Sequence, residues 1–167
     1  MIQEDSFLWQ YLSPEQRRLA ADGTLLLEDR ALHPNERLSD YSYLVFPFSK
    51  MYEGFLKQLL LDLHIITEDE YHSDRFRIGK ALSPTLARRL GKKSAYGQLE
   101  VRYGKDLADA AWSTWKYARN LVFHYFPHNY RALTLSDAEN LIRTIVETME
   151  ETVRITHVQP TPREHRP

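Results

Sequence analysis

An all-α, single-domain bundle is the fold class this sequence predicts, and three observations predict it. Apolar residues recur every three or four positions over long stretches, the spacing of one helix face. Two segments open with the hydroxyl-x-x-acid or amide signature of a helix start, while alternating strand patterns are nearly absent and nothing repeats. At 167 residues the chain can bury one substantial core but not two.

The elements follow in order. Ser13-Pro14-Glu15-Gln16 starts a helix with a hydroxyl cap, a first-turn proline and a glutamine three residues after the serine. Asp22-Gly23 is expected to interrupt or end it, because glycine is a poor helix former, and Leu25-Leu26-Leu27 resumes the apolar pattern. Pro34 to Asp40 reads as a loop, so residues 1–40 are expected to be an N-terminal helical extension packed on the core. From Tyr41 to Ile66, Leu44, Phe48, Met51, Tyr52, Phe55, Leu56, Leu59, Leu60 and Leu63 form a buried stripe, with Pro47 starting or kinking the helix. Thr67 to Ser73 is a polar connection, and shorter helices are predicted around Arg75–Leu82 and Pro84–Leu90. Gly91-Lys92-Lys93-Ser94-Ala95-Tyr96-Gly97 reads as a flexible basic loop between two glycines.

The longest helix is predicted from Leu99 to Phe126, stopped by Pro127. Ser136-Asp137-Ala138-Glu139 is expected to open a last helix with Leu141, Ile142, Ile145, Val146, Met149 and Val153 on one side. The helical core is thus expected over 41–157, with several extra short helices. Residues 158–167, rich in proline and charge, are expected to be a disordered tail.

Composition narrows the function classes. Hydrophobic residues at 43% and charged residues at 27% are ordinary for a water-soluble globular chain. There is no cysteine, which excludes disulfides and thiolate metal ligands and fits a reducing cytoplasm. No apolar run approaches the roughly 18–20 residues of a membrane span. The acidic start Met1-Ile2-Gln3-Glu4-Asp5 lacks the order of a signal peptide, so a cytoplasmic protein with no membrane partner is expected. A net charge of −1 argues against a broad electrostatic grip on nucleic acid, and any such contact must come from a local patch.

Chemistry concentrates in Arg119-Asn120-Leu121-Val122-Phe123-His124. At about 100° per residue, Leu107, Ala110, Ala111, Thr114, Ala118, Leu121, Val122 and Tyr125 form a buried face. Lys116, Arg119, Asn120, Phe123 and His124 point away from it. A guanidinium that holds a phosphate and an imidazole that moves a proton are the minimum equipment for cleaving RNA without a metal. The bland alternative is two surface groups, with His124 favoured at a helix end by the macrodipole.

Arg-Asn-x-x-x-His near the end of a long helix in an all-α domain resembles the HEPN superfamily of nucleotide-binding bundles and ribonucleases. The motif there is Arg, a polar residue, three to five residues and His. The order of helices from Tyr41 to Thr156 is also similar to a HEPN core. Within the superfamily, Lys50-Met51-Tyr52-Glu53-Gly54-Phe55-Leu56-Lys57 resembles the core helix of RnlA-like (RNase LS) toxins, whose glutamate on that helix joins the Arg and His; Glu53 is the matching position. Such toxins have additional N-terminal domains for which this chain has no room.

The resemblance implies a metal-independent endoribonuclease, a toxin of a toxin–antitoxin or defence system, that needs no cofactor. It would leave 2′,3′-cyclic phosphate and 5′-hydroxyl ends. His124 would act as general base or acid, Arg119 would hold the non-bridging oxygens, Asn120 would bond phosphate or orient the helix end, and Glu53 would orient Arg119 or His124. A two-fold homodimer would supply the second histidine in a composite site, and an antitoxin protein is a possible partner. Glu53 has a competing reading as an i,i+4 surface pair with Lys57. The alternative for the whole chain is a catalytically silent HEPN-like module that binds a nucleotide or a protein.

Other features are weaker. Gly91-Lys92-Lys93-Ser94 lacks the first glycine and the preceding strand of a phosphate loop. With Arg88 and Arg89 it reads as a basic patch, a track for RNA, to which Lys116 would add, or as a solvated loop. His33, His64, His72, His128, His157 and His165 show no metal-ligand spacing, so no metal site is expected. His128 lies across Pro127 and reads as a turn residue or a helper at the site. Trp112 and Trp115 read as packing anchors.

Overall fold

Caps and apolar spacing divide the chain into nine α-helices in this computed structural model, which describes residues 2–159. They are α1 (Phe7–Tyr11), α2 (Pro14–Leu32), α3 (Ser42–Asp62), α4 (Glu68–His72), α5 (Ile78–Ala81), α6 (Pro84–Leu90), α7 (Ala95–Tyr103), α8 (Lys105–Trp115) and α9 (Leu135–Thr156). Among the described residues there is no strand, and the fold is an all-α single domain. No helix there is long and apolar enough to cross a membrane.

Helix α3 is the axis. It contributes Met51, Tyr52, Phe55, Leu56, Leu59 and Leu60 to the core, all essentially without solvent contact. Helix α2 runs antiparallel to it, with the Gln16 amide donating to Gln58 near one end and Gly23 against Phe48 near the other. Helix α8 lies antiparallel on another side, held by the Tyr52 hydroxyl donating to the Ala111 carbonyl at 3.1 Å. Complete burial pushes the Tyr52 phenol pKa up, so the group remains a donor. Helix α9 starts beside the start of α3, where Tyr41 N–H donates to the Leu133 carbonyl at 3.1 Å. Thr114 of α8 and Thr148 of α9 share a buried hydroxyl bond of 2.9 Å. Between its ends α3 meets solvent along one stripe, Tyr43, Phe46, Lys50, Glu53, Gly54 and Lys57; the rest is covered.

Several expectations are corrected. Helix α2 passes through Gly23 without interruption, because the residue is buried where the Phe48 ring approaches its backbone. Pro47 lies inside α3 and does not start it; at the sixth residue of the helix it removes the N–H that would reach Tyr43. Helix α5 is shorter than expected. The segment 91–97 is no long loop: Gly91–Lys93 makes a 3-10 turn, and the Ser94 hydroxyl accepts from Gly97 N–H and caps α7. The expected long helix breaks at Gly104, whose φ of 94° and ψ of 160° suit glycine alone. Helix α9 is longer than the others, and its capping box is Thr134 with Asp137, two residues before the expected one. Val158 is buried in the core rather than in a tail. The disordered tail expected further on falls at 160–167, outside the described residues.

Asp40 ties the start of α3 to the approach of α9. Its carboxylate accepts from Ser42 N–H at 2.9 Å, Leu133 N–H at 3.2 Å and the Asn129 amide at 3.3 Å. Burial alone would raise its pKa; the three donors outweigh burial and hold it below the usual carboxylate range. A depressed acid pKa contributes stability that is complete above the unfolded value and lost as pH falls through the folded one. Segment 129–133 is therefore expected to loosen from α3 only below the ordinary aspartate pKa of about 3.9. Hydrogen exchange at the Leu133 amide against pH measures this. Asp40→Ala should abolish that acid step, and an identical profile in the variant would contradict the assignment.

Candidate active site

The chain leaves α8 at Trp115 and makes one π-helical turn, Lys116–Asn120. Leu121 N–H donates to the Lys116 carbonyl, five residues back, at 2.9 Å. Such a turn carries one residue more than an α turn, so every later side chain is rotated away from its α-helical bearing. Its pivot is Ala118, which is fully buried and whose carbonyl accepts from the Ser49 hydroxyl of α3. Removing that hydroxyl strands a buried carbonyl, at a cost of about 1–3 kcal/mol. Ser49→Ala should therefore lower the denaturation midpoint, and no change would show that the bond does not hold the turn.

The rotation delivers Arg119 to α3. Its Nε donates to Glu53 Oε2 at 2.6 Å, with 37% and 32% of the two side chains exposed. Among the described residues the ion-pair partner of Glu53 is Arg119 and not Lys57. Ion pairs this exposed contribute at most about 1 kcal/mol to stability, so the consequence of the bond is orientation. Held through Nε, the guanidinium keeps both Nη groups without a partner among the described residues, and that edge matches two oxygens of one phosphate.

Beyond the π turn the helix does not continue to Phe126. The His124 N–H donates to the Leu121 carbonyl at 3.2 Å, closing a turn that leaves His124 exposed. Asn120 is half-buried. Phe123 meets Phe46 of α3 edge to face, ring centroids 5.5 Å apart. The α-helical wheel therefore misplaces its far end: Leu121 and Val122 are only half-buried, and Tyr125 is 79% exposed. Pro127–Asn129 then turns the chain back toward α9, with His128 and Asn129 both left-handed. Exposed His128 is a turn residue.

The expected cations divide. Lys116 is half-buried, its ammonium 5.0 Å from the Tyr117 ring centroid. Arg88 and Arg89 are exposed on the last turn of α6, and Lys92 and Lys93 on the 3-10 turn that follows. Helices α7 and α8 form an antiparallel hairpin, closed by the Tyr96 hydroxyl donating to Asp109 at 2.6 Å. Trp112 and Trp115 stack on each other at 5.6 Å, and Trp115 covers Gly79, so both are packing anchors.

Ser49, Phe46 and Lys50 had no assigned role in the sequence, and Lys57 entered only as a helix-pair partner for Glu53. The spacing of 46, 50, 53 and 57 was a usable signal, since it puts four side chains on the face that carries Glu53. Among the described residues, no group of three or more His, Asp or Glu could hold a metal ion. No protein-family model, curated protein or solved structure matches the chain.

Proposed function

We propose that the chain is a metal-independent endoribonuclease of HEPN type, similar to the RnlA-like toxins, acting in the cytoplasm as the toxin of a toxin–antitoxin or defence system. The observation that carries this reading is the Arg119–Glu53 bond, which orients a phosphate-binding edge beside the exposed turn bearing His124. In the reaction a ribose 2′-oxygen attacks its adjacent phosphorus and the bond from phosphorus to the 5′-oxygen breaks. One imidazole takes the 2′-hydroxyl proton and one imidazolium gives a proton to the departing 5′-oxygen. The products are a 2′,3′-cyclic phosphate and a 5′-hydroxyl. Arg119 meets the charge that develops on the non-bridging oxygens.

Two proton-transfer groups are needed, and the motif offers one histidine per chain. A two-fold homodimer with the motifs facing each other supplies the second. Exposed Tyr117, Tyr125 and Tyr130 around the motif are the kind of apolar surface that a subunit contact covers. An antitoxin protein is the further partner this reading implies.

The test is RNA cleavage by purified protein in excess EDTA, with product ends mapped and mass measured by light scattering at micromolar concentration. Cyclic phosphate ends and a dimer are expected. Cleavage that persists in both Arg119→Ala and His124→Ala would remove the assignment. RNA that is bound but never cut would leave a catalytically silent module.

A further inference from the structure

The open stripe of α3 carries more than Glu53. Phe46, Lys50, Glu53 and Lys57 follow one another at four, three and four residues, so they line a single helix face. Phe46 is 52% exposed and Phe123, which meets it edge to face, is 38% exposed. Two phenylalanines in contact with each other and with solvent present ring surface that no described residue covers. Lys50 is exposed and Lys57 half-buried, and neither ammonium has an ion-pair partner among the described residues. With Arg119 they make three cations against the one carboxylate of Glu53, a local positive strip on a chain of net charge −1.

We propose that this stripe is the track for a single RNA strand: Lys50 and Lys57 bind backbone phosphates on either side of the one held by Arg119, and the Phe46–Phe123 pair stacks a base. The proposal rests on the nuclease reading for the role of Arg119, and it names the substrate as single-stranded. Lys50 and Lys57 lie roughly 10 Å apart along the helix axis, seven residues at the α-helical rise, so they reach different phosphates of one strand. A duplex would bury its base faces and leave the phenylalanines nothing to stack on, whereas unpaired bases offer those faces to aromatic side chains.

The experiment uses the full chain as His124→Ala, which removes the proton-transfer group and keeps the stripe. Binding of a fluorescein-labelled single-stranded oligoadenylate is followed by anisotropy across salt concentrations. Each phosphate contact contributes about −0.7 to the slope of log affinity against log salt for single strands. Lys50→Ala and Lys57→Ala are each expected to reduce the slope by about that amount. Phe46→Ala is expected to weaken binding about tenfold and to abolish the quenching of a 2-aminopurine base in the strand, with Phe46→Trp restoring both. Phe46 is half exposed, so these variants should fold, and circular dichroism checks that they do.

Unchanged salt slopes in both lysine variants would overturn the proposal. So would Phe46→Ala that turns a dimer into a monomer with affinity intact, which would make the phenylalanine pair a subunit contact. The two readings fail separately. Binding with the expected slopes in a parent protein that never cuts RNA upholds the track and removes the nuclease. Cutting by the parent with unaltered slopes in the variants does the reverse.

Discussion

Arg119→Ala is expected to lower RNA cleavage by about 10²–10³-fold, the usual cost of losing a preorganised donor to a developing negative charge. His124→Ala should cost about 10²–10⁴-fold, the range for a positioned acid or base. Neither change should unfold the chain. The Arg119–Glu53 pair is about one-third exposed and His124 is on the surface, so circular dichroism and the denaturation midpoint should hardly move. Arg119→Lys is expected to do little better than alanine. An ammonium is a point charge and cannot accept orientation from Glu53 while offering two parallel N–H groups to a phosphate. Glu53 should act through Arg119. Glu53→Ala should therefore lower the rate in the presence of Arg119 and add almost nothing in an Arg119→Ala background. Fully additive losses in that double-mutant cycle would mean that the carboxylate does something other than aim the guanidinium.

Gly23→Ala carries the second large effect, and its sign separates two views of the same residue. By local propensity, alanine in mid-helix is better than glycine by about 1 kcal/mol, so the change should stabilise. In the fold, a β-carbon at residue 23 would lie 2.4 Å from Phe48 Cε2 and 2.7 Å from its Cζ. Phe48 is only 2% exposed, so making room for the methyl group means shifting a packed core side chain. Overpacking a core in this way costs about 1–3 kcal/mol, which outweighs the propensity gain. A lowered midpoint in urea with an unchanged slope is the expected result. A raised midpoint would mean that α2 and α3 can move apart at this crossing without penalty.

Those two cases mark how much of the molecule the chain spells out locally. The capping box at Ser13–Gln16, the proline-led start of α6 and the apolar stripe of α3 were all legible, because each depends on residues within a turn or two of one another. The last helix was legible as well, although its cap lies two residues earlier than Ser136, since Thr134 and Asp137 make an equally good box. The error at Gly23 came from treating glycine as punctuation. Its role is to let the Phe48 ring close in, and nothing near Gly23 in the sequence reports where Phe48 will be.

The motif shows the same division at the level of chemistry. Which groups could cleave RNA, an arginine with an amide beside it and a histidine shortly after, is written in six consecutive residues. How they are held is not. An α-helical wheel carried to Phe126 gives every residue its place from its neighbours alone, whereas the chain adopts a π turn whose buried carbonyl accepts a hydrogen bond from the Ser49 hydroxyl. Glu53 has an equally good partner on its own helix in Lys57. It pairs instead with Arg119, 66 positions away, because the turn swings that guanidinium against α3. Helix periods and caps arise from short-range backbone hydrogen bonding and apolar spacing, so the sequence by itself determined the all-α class, most of the helices and which residues are candidates for the chemistry. The aim of Arg119, the exposure of His124 and the pairing of Phe46 with Phe123 depend on contacts between segments far apart in the chain, which exist only once α3 and the end of α8 have packed together.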